Sequence, residues 1–180
     1  MEIELPYEPT AKQALFHAST AEEVLYGGAA GGGKSKAIVM EALLDALEHP
    51  GTHSYLFRKT YPELRDTLVA EALSSTPPMI GQYSGSAHDL RLINGSVLHF
   101  RHCRNSEDAR KYQGAEMHRL YIDELTHFTS DTVEYLKTRV RAVKGLGITP
   151  RMRFTTNPGG VGHGWVKSRF IEEKQPFTLY

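Results

Sequence analysis

The sequence predicts an α/β fold in which a mainly parallel central sheet is flanked by helices and carries one β-hairpin insertion. Three observations predict it. Short apolar runs alternate with stretches of helical periodicity along the 180 residues, the pattern of parallel strands joined by covering helices. A glycine-rich loop joins one such run to the helix after it. An Asn-Gly pair separates two extended segments.

In chain order, residues 24–26 form a short apolar strand before the glycine loop. From Lys34 onward Ile38, Val39, Ala42, Leu43, Ala46 and Leu47 recur at helical spacing, and His49-Pro50-Gly51 ends that helix. Residues 54–58 read as a buried strand, and residues 61–73 as an amphipathic helix with Pro62 in its first turn. Residues 89–101 read as a hairpin, with Asn94-Gly95 supplying the two positive-φ residues of a type I′ turn. Residues 119–123 form a strand and 129–143 a helix capped by Thr129 or Ser130. Residues 151–157 form another strand, followed by a glycine-rich turn and a last helix over 164–173. No linker interrupts the series, so one domain is expected over 1–180. The closing "EEKQPFTLY" reads as the opening of a further strand, so the chain is expected to be a piece of a longer protein, cut before its last strand or strands.

Composition excludes several classes. With 40% hydrophobic and 23% charged residues the chain can bury an ordinary core. It has no apolar run of about 18 residues for a membrane span, and two acids stand where a secretory signal would be basic and apolar. A single cysteine, Cys103, allows no internal disulfide and fits a reducing compartment. Positive and negative residues number 21 each, so a polyanion would have to meet a local basic patch.

The residues Gly28-Ala29-Ala30-Gly31-Gly32-Gly33-Lys34-Ser35 match the phosphate-binding pattern G-x-x-x-x-G-K-[ST]. Glycines let several backbone N–H groups converge on one concavity and leave room for phosphate oxygens. The helix that starts near Lys34 points its positive end there. Lys34 would reach the β- and γ-phosphates, and the Ser35 hydroxyl would complete a Mg2+ shell. The dinucleotide pattern G-x-G-x-x-G is not present in register, so the site is read as one for ATP or another nucleoside triphosphate.

The strand ending "RLYIDE" supplies Asp123 for the metal and Glu124 for an attacking water. Carboxyl ends of neighbouring parallel strands share one edge, so this pair is expected beside the loop after Tyr26. Thr155, Thr156 and Asn157 end the next strand with two hydroxyls and an amide that could sense the γ-phosphate. Gln13, ahead of the first strand, could read an adenine edge. Transition-state charge calls for an arginine: Arg101, Arg104, Arg110 and Lys111 precede the acidic strand, and Arg110 is the preferred choice. His99, His102 and Cys103 do not make a metal site, because His99 and His102 fall on opposite faces of a strand. Arg58/Lys59 and Lys137/Arg139/Arg141 are the candidate local basic patches for a polyanion.

Gln13 followed by "GGAAGGGKS", "SYLFRKTYPELRDT", "LYIDE" and "TTNPGGVGHGWVKSRF" resembles the large subunit of tailed-phage terminases, the DNA-packaging motor, across essentially the whole chain. The last of these stretches is the most specific. The resemblance implies an ASCE-type P-loop NTPase fold. It further implies Mg2+-dependent ATP hydrolysis that drives double-stranded DNA into a procapsid, with the subunits in a ring on the portal protein beside the small terminase subunit, in the host cell cytoplasm and away from any membrane. Position by position, Gln13 is similar to an adenine-contacting glutamine. Lys34 and Ser35 match the phosphate and magnesium pair, Asp123 and Glu124 the metal and water residues, and 155–157 the coupling motif. Arg110 matches a finger inserted into a neighbour's site. Many members carry an arginine inside the phosphate loop where this chain has Ala29 and Ala30, which shifts weight onto an arginine from elsewhere. Full-length members continue into a nuclease; no acidic cluster for two-metal cleavage is present here, so the nuclease domain is expected to be absent and no nuclease activity is expected. The competing readings are another P-loop nucleic-acid motor of the helicase kind and a non-hydrolysing, nucleotide-gated DNA-binding module.

Overall fold

The structure is a computed structural model that describes residues 5–28, 31, 33–143, 145, 147–173 and 178–179. It opens with α1 (Ala11–Ala18), β1 (Glu23–Tyr26), α2 (Lys34–Glu48) and β2 (His53–Arg58). One continuous helix follows, made of α3 (Tyr61–Leu64), a π-helical turn (Arg65–Val69) and α4 (Ala70–Ser75). The wide turn has a local cause: the Thr67 hydroxyl donates to the carbonyl of Glu63 at 2.5 Å, inserting a side chain into the helical ladder. Then come β3 (Gly81–Ser84), β4 (Asp89–Leu92), β5 (Val97–His102), α5 (Ser106–Arg110), β6 (Arg119–Ile122), α6 (Ser130–Lys137), β7 (Arg151–Thr155) and α7 (His163–Lys167). A π-helical turn over Ser168–Glu172 and β8 (Thr178–Leu179) close the chain.

The sheet has eight strands in the order β3-β4-β5-β2-β6-β7-β1-β8. From β5 to β8 all neighbours are parallel, and β4 and β3 extend that edge in antiparallel fashion. Both faces are covered, which is why the central strands read as unbroken apolar runs rather than alternating ones. Leu56, Leu98, Phe100 and Tyr121 pack under α2, α3 and α4 on one face. Phe57, Leu120, Ile122 and Phe154 pack under α6, α7 and the turn after it on the other. Among the described residues no helix is long and apolar enough to cross a membrane.

Several expectations are corrected. The hairpin turn is not type I′: Gly95 has positive φ (84°) and Asn94 does not. The Gly95 N–H donates to Leu92 O and the Leu92 N–H to Ser96 O, which is a three-residue loop with glycine at the left-handed position. Asn94 is otherwise engaged, since its amide donates to the carbonyls of Ala46 and Leu47 at 2.8 and 3.1 Å and so caps α2. The helix expected over 129–143 stops at Lys137, because the next turn is pulled into extended pairing, with the Arg141 N–H on Met117 O at 2.8 Å. β3 was not expected; it is a polar edge strand with no apolar alternation.

α2 also buries charge. Glu41 and Asp45, each 3% exposed, face the sheet. Arg153 Nε meets Glu41 at 3.2 Å, and Arg119 Nε meets Asp45 at 2.7 Å. Removing one partner of such a pair costs about 3–5 kcal/mol. The pairs tie the P-loop helix to β6 and β7, the two strands that end in the site.

Candidate active site

The loop between β1 and α2 needs glycine where the structure describes it: Gly28, Gly31 and Gly33 have φ of 138°, 87° and 63°, values that side-chain-bearing residues rarely adopt. Ala29, Ala30 and Gly32 lie outside the described residues. Lys34 opens α2, is 7% exposed, and its Nζ lies 3.2 Å from the carbonyl of Gly28, so the ammonium spans the mouth of the loop. Gln13 is 5% exposed. Its Oε1 accepts the Thr10 N–H at 2.8 Å and its Nε2 donates to Gly33 O at 3.0 Å. A Cβ on Gly33 would stand 2.8 Å from that nitrogen. The structure therefore places Gln13 as a strut between the cap of α1 and the last glycine of the loop.

The acidic strand is not the immediate neighbour of β1. β7 lies between them, a gap of roughly 10 Å at ordinary strand spacing. The start of α2 crosses it: Ser35 Oγ donates to Asp123 Oδ2 at 2.9 Å. Asp123 is 1% exposed, and the Thr155 hydroxyl donates to its other oxygen. Glu124 sits in the left-handed region at φ 57°, a conformation that costs a non-glycine residue on the order of 1 kcal/mol and tends to persist where function needs it. Its carboxylate takes two donors from one residue, the Asn157 side-chain amide at 2.6 Å on Oε1 and the Asn157 backbone N–H at 3.3 Å on Oε2.

The end of β7 thus closes onto the acidic turn residue by residue. Thr155 meets Asp123, Asn157 meets Glu124, and Thr156 Oγ1 lies 3.0 Å from Thr126 Oγ1 in the short 3-10 turn Leu125–His127. That turn is fastened from the other side as well. The Gly162 N–H donates to Thr126 O at 2.7 Å and Trp165 Nε1 to Phe128 O at 2.9 Å. A Cβ on Gly162 would fall 2.3 Å from Phe128 O, so only glycine permits this approach. A cavity of about 220 Å³ opens beside Gly27 and Gly28, bordered by Thr156, Asn157, His163 and Lys167.

Arg58 is the residue that sequence reasoning placed wrongly. It ends β2 beside β6, and its Nε and Nη2 lie 2.9 and 2.7 Å from Asp123 Oδ2. Lys59 donates to the carbonyl of His127 at 2.7 Å. The Arg58 charge is thereby paired with Asp123, while Lys59 keeps its charge and spends one N–H on a carbonyl. Lys137 is likewise committed, with Nζ 2.5 Å from Glu23 Oε1, and Arg139 lies over the ring of Tyr135 with Nη1 on Gln113 O; Arg141 is exposed. Arg101 pairs with Asp89 at 2.8 Å, and Arg104 and Lys111 with Asp108 at 3.5 and 2.6 Å. Arg110 is exposed at the end of α5. α5 follows β5, which lies four strands from β1 in the sheet, and packs against α6, with the Ser106 and Thr132 hydroxyls 3.2 Å apart; among the described residues no ion pair joins Arg110 to the site.

A phosphate loop after one strand, an acidic pair at the end of another and a third strand between them define a P-loop NTPase fold of the ASCE type. The family described as terminase large subunit, T4likevirus-type, N-terminal matches residues 25–172, and the chain belongs to that family. Among curated proteins no sequence matches it. Among solved structures, the large terminase of a thermophilic bacteriophage superposes with a TM-score of 0.76 at 16% identity, over 96% of this chain and 45% of that one. The same phage's terminase in complex with ADP gives 0.70 at 17% identity, over 94% and 44%. The ATPase domain of the Thermus phage P74-26 large terminase gives 0.58 at 14% identity, over 94% and 88%. The chain therefore spans less than half the length of the first two proteins.

Proposed function

We propose that this chain is the ATP-hydrolysing motor domain of a terminase large subunit, powering the translocation of double-stranded viral DNA into a procapsid. One observation carries the reading: the P-loop serine is hydrogen-bonded at 2.9 Å to an acid 88 residues away, and the next residue is a glutamate held by an amide. In this reading the loop backbone and Lys34 bind the phosphates of ATP. Ser35 and Asp123 would hold Mg2+, which suits them because it accepts few protein oxygens and completes its shell with phosphate and water. Bound there, Mg2+ would supply positive charge to offset the negative charge that develops on the phosphates. Glu124 accepts a proton from the attacking water and orients it. Thr155, Thr156 and Asn157 link the nucleotide site to the turn before α6, and Gln13 supports the loop and offers its remaining amide N–H to adenine.

The family and the ADP-bound neighbour support this reading. The proposed partners are double-stranded DNA, the portal protein, the small terminase subunit and further copies of the chain in a ring on the procapsid, in the host cell cytoplasm. Cleavage of DNA is not assigned to these residues.

The test is a pair of variants assayed for nucleotide binding and phosphate release. Lys34→Ala is expected to abolish productive binding, because it removes the cation at the mouth of the loop. Glu124→Gln is expected to keep fluorescent ADP and Mg2+ bound while turnover falls on the order of 10²-fold or more. Turnover at the parent rate in either variant would refute the site assignment.

A further inference from the structure

Arg58 touches the atom that a metal would need. Asp123 Oδ2 accepts Ser35 Oγ at 2.9 Å and, on the same oxygen, Arg58 Nε at 2.9 Å and Nη2 at 2.7 Å. Its second oxygen takes the Thr155 hydroxyl. A carboxylate has about four lone-pair positions in all, so donors from three residues nearly fill it. The Arg58 side chain is 11% exposed, and little water is available to screen a second cation brought beside it. Arg58 Nη2 also lies 3.9 Å from Glu124 Oε1, the oxygen that receives the Asn157 amide at 2.6 Å.

We infer that Arg58 is a positioning residue that exchanges with Mg2+ on Asp123: metal and guanidinium compete for Oδ2, and the displaced guanidinium moves onto Glu124. The inference rests on reading the site as one for Mg2+ and nucleotide. Two features favour exchange over a fixed ion pair. A dication held by Ser35 and Asp123 would sit within a few ångström of the guanidinium, and like charges that close in a poorly hydrated site repel strongly. A second carboxylate already stands one short movement away, so the guanidinium need not be left unpaired when Asp123 is taken. Metal arrival would then change the partners of Glu124, the residue that handles water, and the mechanism would sense the metal before it acts.

The test uses binding rather than turnover. Fluorescent ADP is titrated with Mg2+ in the parent chain, in Arg58→Gln and in Arg58→Lys. Removing the competitor is expected to lower the half-saturating Mg2+ about tenfold in Arg58→Gln, within the usual range for linked equilibria. Arg58→Lys, which keeps the charge but loses the two-pronged contact, is expected to show a smaller drop. A half-saturating Mg2+ that is unchanged or higher in a folded Arg58→Gln chain overturns the inference, since a merely structural arginine would weaken ADP binding equally at every Mg2+ concentration. If Arg58→Gln does not fold, the Nε–H resonance of Arg58 in the parent chain decides. It should shift on adding ADP with Mg2+ and stay in place on adding ADP with a chelator; an equal shift in both overturns the inference. Failure of the parent chain to bind ADP with Mg2+ at all would strike the underlying site assignment instead.

Discussion

Asn157 spends its side-chain N–H and its backbone N–H on the two oxygens of Glu124. A carboxylate meant to abstract a proton must point one way, and Glu124 does so from a left-handed backbone conformation that its neighbours have to maintain. Asn157→Ala removes the stronger of the two donors and leaves Lys34, Ser35 and Asp123 untouched. Binding of fluorescent ADP with Mg2+ should therefore be unchanged, while phosphate release falls on the order of tenfold to a hundredfold, as when a residue that orients a reacting ligand is lost. Equal losses in binding and turnover would show instead that Asn157 supports the loop as a whole. At this scale the meeting of Ser35 with Asp123 was legible, because each belongs to a short motif whose spacing carries its chemistry. Arg58 was not: an Arg-Lys pair after a strand looks the same whether it faces solvent or a carboxylate. Only the adjacency of β2 and β6 decides, and that adjacency is not local in sequence.

The elements show the same division between local and distant causes. The P-loop helix was legible through its apolar spacing and its stop at 49–51. α1 was missed because it has only eight residues, and just Gln13 and Phe16 of them are buried while Leu15 is 59% exposed, too short a span to show a periodic apolar face, although Thr10 and Gln13 form a capping box that could have revealed it. The early end of α6 depends on pairing with Met117, which no window of sequence contains. Away from the site, β2, β4 and β5 share a polar chain. His99 Nδ1 lies 2.8 Å from Asp89 Oδ1, and His99 Nε2 lies 2.9 Å from His53 Nδ1. Burial pushes the pKa of His99 down to about 4, despite the opposing pull of Asp89. A histidine with a folded pKa below its unfolded value near 6.5 leaves stability intact above that pH, and the loss grows as pH falls from about 6.5 toward 4. The melting temperature should thus be level between about pH 7 and 8 and decline below about 6.5. His99→Gln, which cannot titrate, should flatten that slope even though it lowers the melting temperature overall. An unchanged slope in a folded variant would assign the acid sensitivity to other groups.

The whole molecule carries 21 positive and 21 negative residues, and the fold spends many of the positive ones internally. Arg58, Lys59, Lys137, Arg119 and Arg153 are all committed to partners within the chain. Arg110 is different: it is exposed at the end of α5, and no ion pair is found for it among the described residues. An exposed cation at a helix end is free to act on a neighbouring copy. Three consequences are expected if it does. Hydrolysis should rise more steeply than linearly with protein concentration, should be stimulated by double-stranded DNA, and should be lost in Arg110→Ala. Mixing separates a shared site from a private one. In a ring assembled at random from equal amounts of Arg110→Ala and Glu124→Gln chains, a site is competent when its own chain keeps Glu124 and the adjoining chain keeps Arg110, so about a quarter of sites should recover. Activity should peak near equal proportions and fall toward zero at either extreme, because both partners are then drawn from one inactive kind. A residue acting only within its own chain gives no recovery at any ratio. Flat inactivity across the whole mixing series, with assembly verified by mass, would overturn the shared site and confine Arg110 to its own chain, whereas an Arg110→Ala chain as active as the parent would leave Arg110 as a solvated surface charge.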